Sequence, residues 1–178
     1  MRFSLPLLLL LALPLTGQLP VPPEFQTLLD SMDIRLNHPL DGDFKLRHSV
    51  ANDYLEDMVT LTSRREKLEM RFHLIPESKL LFYQGRPHLK AGLVQMNLAS
   101  NDEDAVTAIH SFGEEELAVL NADWARMYTF RPKSSYSFRR QAQMIAVYRE
   151  GKGMGLLMLL FDKAPPTIEG RQLTLRFR

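Results

Sequence analysis

The 178-residue chain contains no cysteine. That excludes disulfides, thiol nucleophiles and thiolate metal sites together, and with them any anchor attached through a cysteine. Such a chain, if exported, is held together by its core alone. Asn-x-Ser/Thr sequons are also absent. No apolar run reaches the roughly 20 residues of a membrane-spanning helix. Charge of one sign is missing as well: removing Arg2 from the 22 basic residues leaves 21, against 21 acidic ones. A neutral chain has no general pull toward nucleic acid or an anionic membrane.

What the first residues do contain is an export pattern. Arg2 is the only charge before Glu24, and "LPLLLLLALPL" follows it, ending at Thr16-Gly17. A short charged start, an apolar middle and a small residue near its end make a signal peptide over residues 1–17. Leu15 is large for a cleavage site, so a retained N-terminal anchor is the alternative. Residues 18–30 read as a proline-rich tether and entry segment, and residues 31–178 as a single α+β domain. The expected location is exported, periplasmic or secreted, in a bacterial envelope.

Phe25, Leu28 and Leu29 have helical spacing, and Ile34 and Leu36 alternate as a short strand. "NHPLDGD" is turn material. The strongest local signal is a hairpin. Leu68, Met70, Phe72 and Leu74 share one face of a strand, with Glu69, Arg71 and His73 on the other. Its partner is Met58–Thr62, joined through Ser63–Lys67.

Residues 86–98, "RPHLKAGLVQMNL", are readable as helix or strand; Pro87 as an opening residue favours a helix with a Leu89, Leu93, Met96 stripe. Ser100 with Glu103, and Ser111 with Glu114, have capping-box spacing. The first predicts a short helix carrying Val106 and Ile109. The second predicts one carrying Leu117, Leu120 and Trp124. Both place acidic clusters, Asp102–Asp104 and Glu114–Glu116, in first turns where the helix dipole favours them. "QAQMIAVY" and "GLLMLLF" are apolar on both faces, as central strands are. The "REGKGM" turn between them has Gly151, Gly153 and, just beyond, Gly155 for positive φ. Leu173, Leu175 and Phe177 alternate as a last, edge-like strand.

The order of "VTLTSRREKLEMRF", "EEELAVLNADW", "YTFRPKSSYS" and "QAQMIAVYREGKGMGLLMLLFD" resembles the α/β/α sandwich proteins of the PsbP and Mog1 type, including exported DcrB-like relatives. The resemblance covers roughly residues 31–178. It implies a central antiparallel sheet with helices packed on its faces, and a binding or accessory role without a shared catalytic set. It carries over no site residue. A long C-terminal helix is typical of that family, and "PPTIEGRQLTLRFR" is too short and too alternating for one.

Catalytic patterns are sparse. His38, His48, His73, His88 and His110 include no pair at metal-ligand spacing. His73 shares its face with Glu69 and Arg71, and His110 lies four residues before Glu114. No Gly-x-Ser-x-Gly elbow occurs, and "GKGMG" lies between strands rather than before a helix, where a phosphate loop belongs. No cofactor, metal site or catalytic residue is therefore assigned.

The candidate site is "FRPKSSYSFRRQ". Arg131, Lys133, Arg139 and Arg140 sit there with Tyr136 and Phe138 and no acid between them. Three readings compete. The loop is simply solvated, with Tyr136 and Phe138 packed inward. Or it docks an acidic partner protein through arginine and tyrosine anchors. Or it holds an anion such as a phosphorylated headgroup with arginine forks. The expected function is a non-enzymatic exported binding or accessory protein acting through a protein–protein surface. Its partner would be another envelope or secreted protein, with no nucleic acid, and membrane contact only through an uncleaved signal. The alternatives are a small envelope hydrolase with a His/Asp/Glu site, or an anion or lipid-headgroup binder.

Overall fold

The computed structural model describes residues 21–37, 43–47, 55, 58–83 and 85–178. Residues 1–17, the start of the tether, most of "NHPLDGD", His38 and His48 lie outside them.

Nine strands and four helices are described: α1 (Pro23–Ser31), β1 (Ile34–Leu36), β2 (Phe44–Arg47), β3 (Val59–Ser63), β4 (Leu68–Pro76), α2 (Pro87–Leu98), β5 (Ala108–Ser111), α3 (Glu114–Leu120), β6 (Trp124–Phe130), β7 (Gln141–Arg149), β8 (Gly153–Phe161), α4 (Ile168–Gln172) and β9 (Leu175–Phe177). Two 3₁₀ turns, Glu77–Lys79 and Leu81–Tyr83, link β4 to α2. Seven strands form one antiparallel sheet in the order β2-β3-β4-β8-β7-β6-β5, and β1 pairs with β9 in a separate ribbon. The fold is α+β.

The sheet is built from two hairpins laid side by side. β3 and β4 pair with Leu61 opposite Met70. β7 and β8 pair with Met144 opposite Met158. β8 then joins them, with Met70 opposite Leu159. Every residue of β8 is buried, as a strand apolar on both faces requires. Alternate residues of a strand point to opposite faces, so the central strands feed two separate clusters. Leu157, Leu159 and Phe161 cluster with Phe25 and Leu29 of α1, Leu120 of α3 and Leu175 and Phe177 of β9. Leu156, Met158 and Leu160 cluster with Ala91, Val94 and Leu98 of α2 and with Tyr136. Each large apolar side chain buried this way contributes about 1.5–3 kcal/mol before entropy is counted.

The β7–β8 turn uses its glycines in two ways. Gly151 and Gly153 have φ of +73° and +120°, which L side chains rarely adopt. A Cβ at Gly153 would also lie 2.7 Å from the Glu77 amide nitrogen. Gly155 does not have positive φ. It is bare because Leu175 of β9 lies over it, 2.6 Å from where a Cβ would stand.

Four local expectations are corrected. The first capping box starts no helix. Ser100 Oγ accepts from the Asp102 amide in a turn, and the chain then runs as β5. The β-branched Val106, Thr107 and Ile109 suit an extended chain, and β6 offers that chain a partner for its backbone hydrogen bonds. The second helix starts two residues later than expected. Gly113 is its N-cap, with the Glu116 carboxylate accepting from the Gly113 amide at 2.8 Å, and Trp124 opens β6 instead of lying on the helix. α2 is a helix, but Leu89, Leu93 and Met96 face water while Ala91, Val94 and Leu98 are buried. The helix has two opposite apolar faces, separated by His88 and Gln95 on one side and Lys90 and Asn97 on the other, so spacing alone could not choose the inner one. Small Ala91 and Val94 let the backbone lie close over β6 and β7. Finally, the Glu69, Arg71 and His73 face of β4, polar by its letters, is largely covered: Arg71 is buried and Glu69 and His73 are half-buried.

Candidate functional site: a basic loop beside an exposed apolar helix face

The loop joining β6 and β7, residues 131–140, is tied to the end of α2. The Lys133 amide donates to the Leu98 carbonyl at 2.9 Å, and the Ser100 amide donates to the Arg131 carbonyl at 2.8 Å. Lys133 Nζ donates to the Asn97 carbonyl at 2.7 Å. A cation there satisfies a C-terminal carbonyl and complements the helix dipole.

Tyr136 is buried, as expected. Its ring lies over the Arg71 guanidinium, 4.5 Å from centroid to Cζ. Arg71 Nη1 donates to the Tyr136 carbonyl at 3.2 Å, and Arg71 Nε donates to Glu69 Oε1 at 2.6 Å. A buried guanidinium needs such partners, and here they clamp the loop to β4.

The loop's cations are largely engaged at the surface. Arg131 Nη1 meets Asp102 Oδ2 at 2.9 Å. Arg139 Nη1 donates to Asp162 Oδ2 at 2.7 Å, and the Arg140 amide donates to Asp162 Oδ1 at 3.1 Å. The Arg139 hydrogen bond, followed by the Arg140 amide, holds Asp162 below the usual carboxylate range. Such exposed pairs are weak, so these guanidiniums can exchange partners at little cost. The Arg140 side chain is exposed and has no ion-pair partner among the described residues. Phe138 corrects the inward reading: 96% of its surface is exposed.

Phe138 has company. Leu81 and Phe82 of the second 3₁₀ turn are 71% and 88% exposed, and Met96 of α2 is 62% exposed. Leu89 and Leu93 lie at i and i+4 on the same helix face, and Met96 lies three residues further on. The Phe82 ring stands edge-on to Tyr83 at 5.1 Å, and Lys90 Nζ lies 5.6 Å from the Tyr83 ring centre. The Lys90–Tyr83 contact joins the turn to the first half of the helix. From Ser78 to Leu98 there is no acidic residue, and Lys79, Arg86 and Lys90 are the charges. The sequence reading missed this face. Its signal was a helix with two opposite apolar faces inside an acid-free stretch.

Groups able to do chemistry converge poorly. His110 Nε2 lies 3.4 Å from Glu116 Oε1 at the exposed β5 edge, so the histidine meets Glu116 rather than Glu114. The Gly113 amide, more than His110, holds Glu116 low. Tyr148 donates to Glu77 Oε1 at 3.2 Å; burial, then the Glu77 charge, raises the phenol. A depression of about 330 Å³ is lined by Glu114, Leu117, Asn121, Asp123 and Arg149, and contains no histidine. Among the described residues no three His, Asp or Glu side chains gather as metal ligands do, and no helix is long and apolar enough to cross a membrane. The chain matches no protein-family model, no curated protein and no solved structure.

Proposed function

We propose that this protein is a non-enzymatic binding or accessory module of the cell envelope, exported as its first residues suggest, that works through a surface rather than a pocket. The observation that carries this reading is the apolar face at Leu81, Phe82, Leu89, Leu93 and Met96. Contiguous exposed apolar patches on a well-packed domain mark interaction sites. The basic β6–β7 loop borders the end of the same helix and supplies Arg131 and Arg139, held by exposed pairs, and the exposed Arg140. The division of the core into two clusters, with α1 residues in one and α2 residues in the other, supports a three-layer sandwich of the PsbP and Mog1 type. Such domains serve as scaffolds for contact surfaces.

The test is retention from whole envelope extract on the immobilised full chain. It is run beside two variants: Phe82→Asp with Met96→Asp, and Arg131, Lys133, Arg139 and Arg140 all changed to Ala. An envelope component held by the parent and lost from either variant, with melting unchanged, is the expected result. Equal retention by all three, together with an ester- or phosphoester-cleaving activity that His110→Ala abolishes, would replace this reading with the hydrolase.

A further inference from the structure

Resting on that reading of the surface, we propose that its occupant is an anionic lipid bilayer. The α2 face enters the headgroup–acyl boundary, and Lys79, Arg86 and Lys90 lie against lipid phosphates.

Shape is the first argument. Phe82 and Leu81 sit on a turn and are the most exposed apolar side chains of this face. Exposed to this degree, they project into solvent. Projecting aromatic and aliphatic tips suit a fluid apolar phase, which needs no preformed pockets to receive them. A protein partner would have to offer a cavity for each tip. Leu89, Leu93 and Met96 continue the apolar surface along the outer side of the helix, whose inner side is taken by the sheet.

Charge is the second argument. The 21 residues from Ser78 to Leu98 carry three cations and no anion. A positive patch seeks a negative one, and one sign throughout this stretch complements a uniformly anionic leaflet. The chain as a whole is near neutral, so attraction depends on which face is presented. With a screening length of about 8 Å at physiological salt, these cations act at the turn and the first half of α2; Asp102–Asp104 follow the far end of the helix, where Arg131 pairs with Asp102. The cations are also in position. Lys79 and Arg86 are exposed on either side of the Leu81–Tyr83 turn, and Lys90 lies beside Tyr83, whose ring meets Phe82. Aromatic rings next to cations occupy the headgroup level of a bilayer.

The experiment is sedimentation of the purified full chain with two kinds of vesicle: phosphatidylcholine alone, and phosphatidylcholine with about one-third phosphatidylglycerol. Two variants are compared, Phe82→Asp with Leu93→Asp, and Lys79→Gln with Arg86→Gln and Lys90→Gln. Both change exposed or half-exposed positions; thermal melting verifies that each remains folded. Anything residues 1–20 contribute is common to all three proteins and to both vesicle types. The expected result is a preference of the parent for anionic vesicles that weakens as salt rises. The apolar variant should lose roughly tenfold or more in partitioning, and the charge variant should lose the preference for anionic lipid. No preference in the parent, or equal binding by parent and variants, overturns the lipid assignment. If vesicles are ignored while an envelope protein is still retained through Phe82 and Met96, the occupant is a protein and the surface reading stands. If neither vesicle nor protein depends on these residues, both readings fall.

Discussion

Replacing Arg171 with Met should destabilise this protein more than any other change to a single charged group at its margins. Arg171 of α4 holds Glu66, in the β3–β4 turn, through Nη2 to Oε1 at 2.5 Å and Nε to Oε2 at 3.1 Å. Thr167 Oγ1 adds a third bond to Oε2 at 2.8 Å. The two charged side chains are only 10% and 6% exposed, and the guanidinium stacks over Phe44 of β2. The pair joins residues 105 apart in sequence. Removing one partner from a buried pair leaves an uncompensated charge and costs about 3–5 kcal/mol. At about 2–4 °C per kcal/mol for a domain of this size, the melting midpoint should fall by roughly 6–20 °C. Urea unfolding at neutral pH measures it directly.

The pH dependence supplies an independent check. Burial pushes the Glu66 carboxyl up, but Arg171 and Thr167 outweigh it, so in the parent it lies below its usual 4.5. Its contribution is therefore present above the unfolded value and lost as pH falls through the lower folded value. In Arg171→Met burial acts unopposed by the guanidinium, and the folded value rises above the unfolded one. The sign then reverses: the variant's deficit should shrink as pH falls toward 4. The double variant Arg171→Met with Glu66→Met removes both charges and should recover most of the loss. A single-variant loss below about 1 kcal/mol, within the range of an exposed pair, or a deficit independent of pH, would refute the reasoning.

Other outcomes follow from the same geometry. Gly153→Ala forces positive φ and a backbone clash, and should cost about 2 kcal/mol or more by denaturant titration. Gly155→Ala meets only the Leu175 side chain, so it should cost less, about 1–2 kcal/mol. Tyr136→Ala empties a buried site and uncovers Arg71, and should cost about 3–5 kcal/mol, with faster amide exchange in the β6–β7 loop. Leu93→Glu, Met96→Glu and Phe138→Ser change exposed positions and should move stability by less than about 0.5 kcal/mol while raising solubility. The Arg139–Asp162 contact should open as pH falls below 3.8 through the lowered value of Asp162, seen as a shift of the Asp162 carboxyl resonance.

Much of the fold could be read along the chain because it depends on local periodicity. Strict alternation from Leu68 to Leu74 marked β4. Continuous apolar letters marked β7 and β8 as central. Gly151 and Gly153 marked the turn between them. Phe25 and Leu29 marked α1. Each signal lies within one element, and burial on one or both faces leaves a repeating pattern there. The first capping box misled for the same reason, and the second was off by two residues: three-residue spacing is local, and the edge of β6 drew Ile109 and Ser111 into a strand.

The candidate site was only half legible. Composition singled out Arg131 to Arg140 as a basic, aromatic loop, and the structure places it against the end of α2. Which aromatic turns inward was not written in the letters. Tyr136 and Phe138 alternate equally well, but a buried Arg71 from a strand 65 residues earlier takes one ring and leaves the other in water. Likewise α2 has two opposite apolar faces, and only docking on the sheet chose Ala91 and Val94 for the inside. The sequence by itself determined an α+β chain without cysteine, with its strands, its neutral charge and its acid-free stretch. Tertiary structure decided which side chains remain exposed, because exposure is set by contacts between residues far apart in the chain.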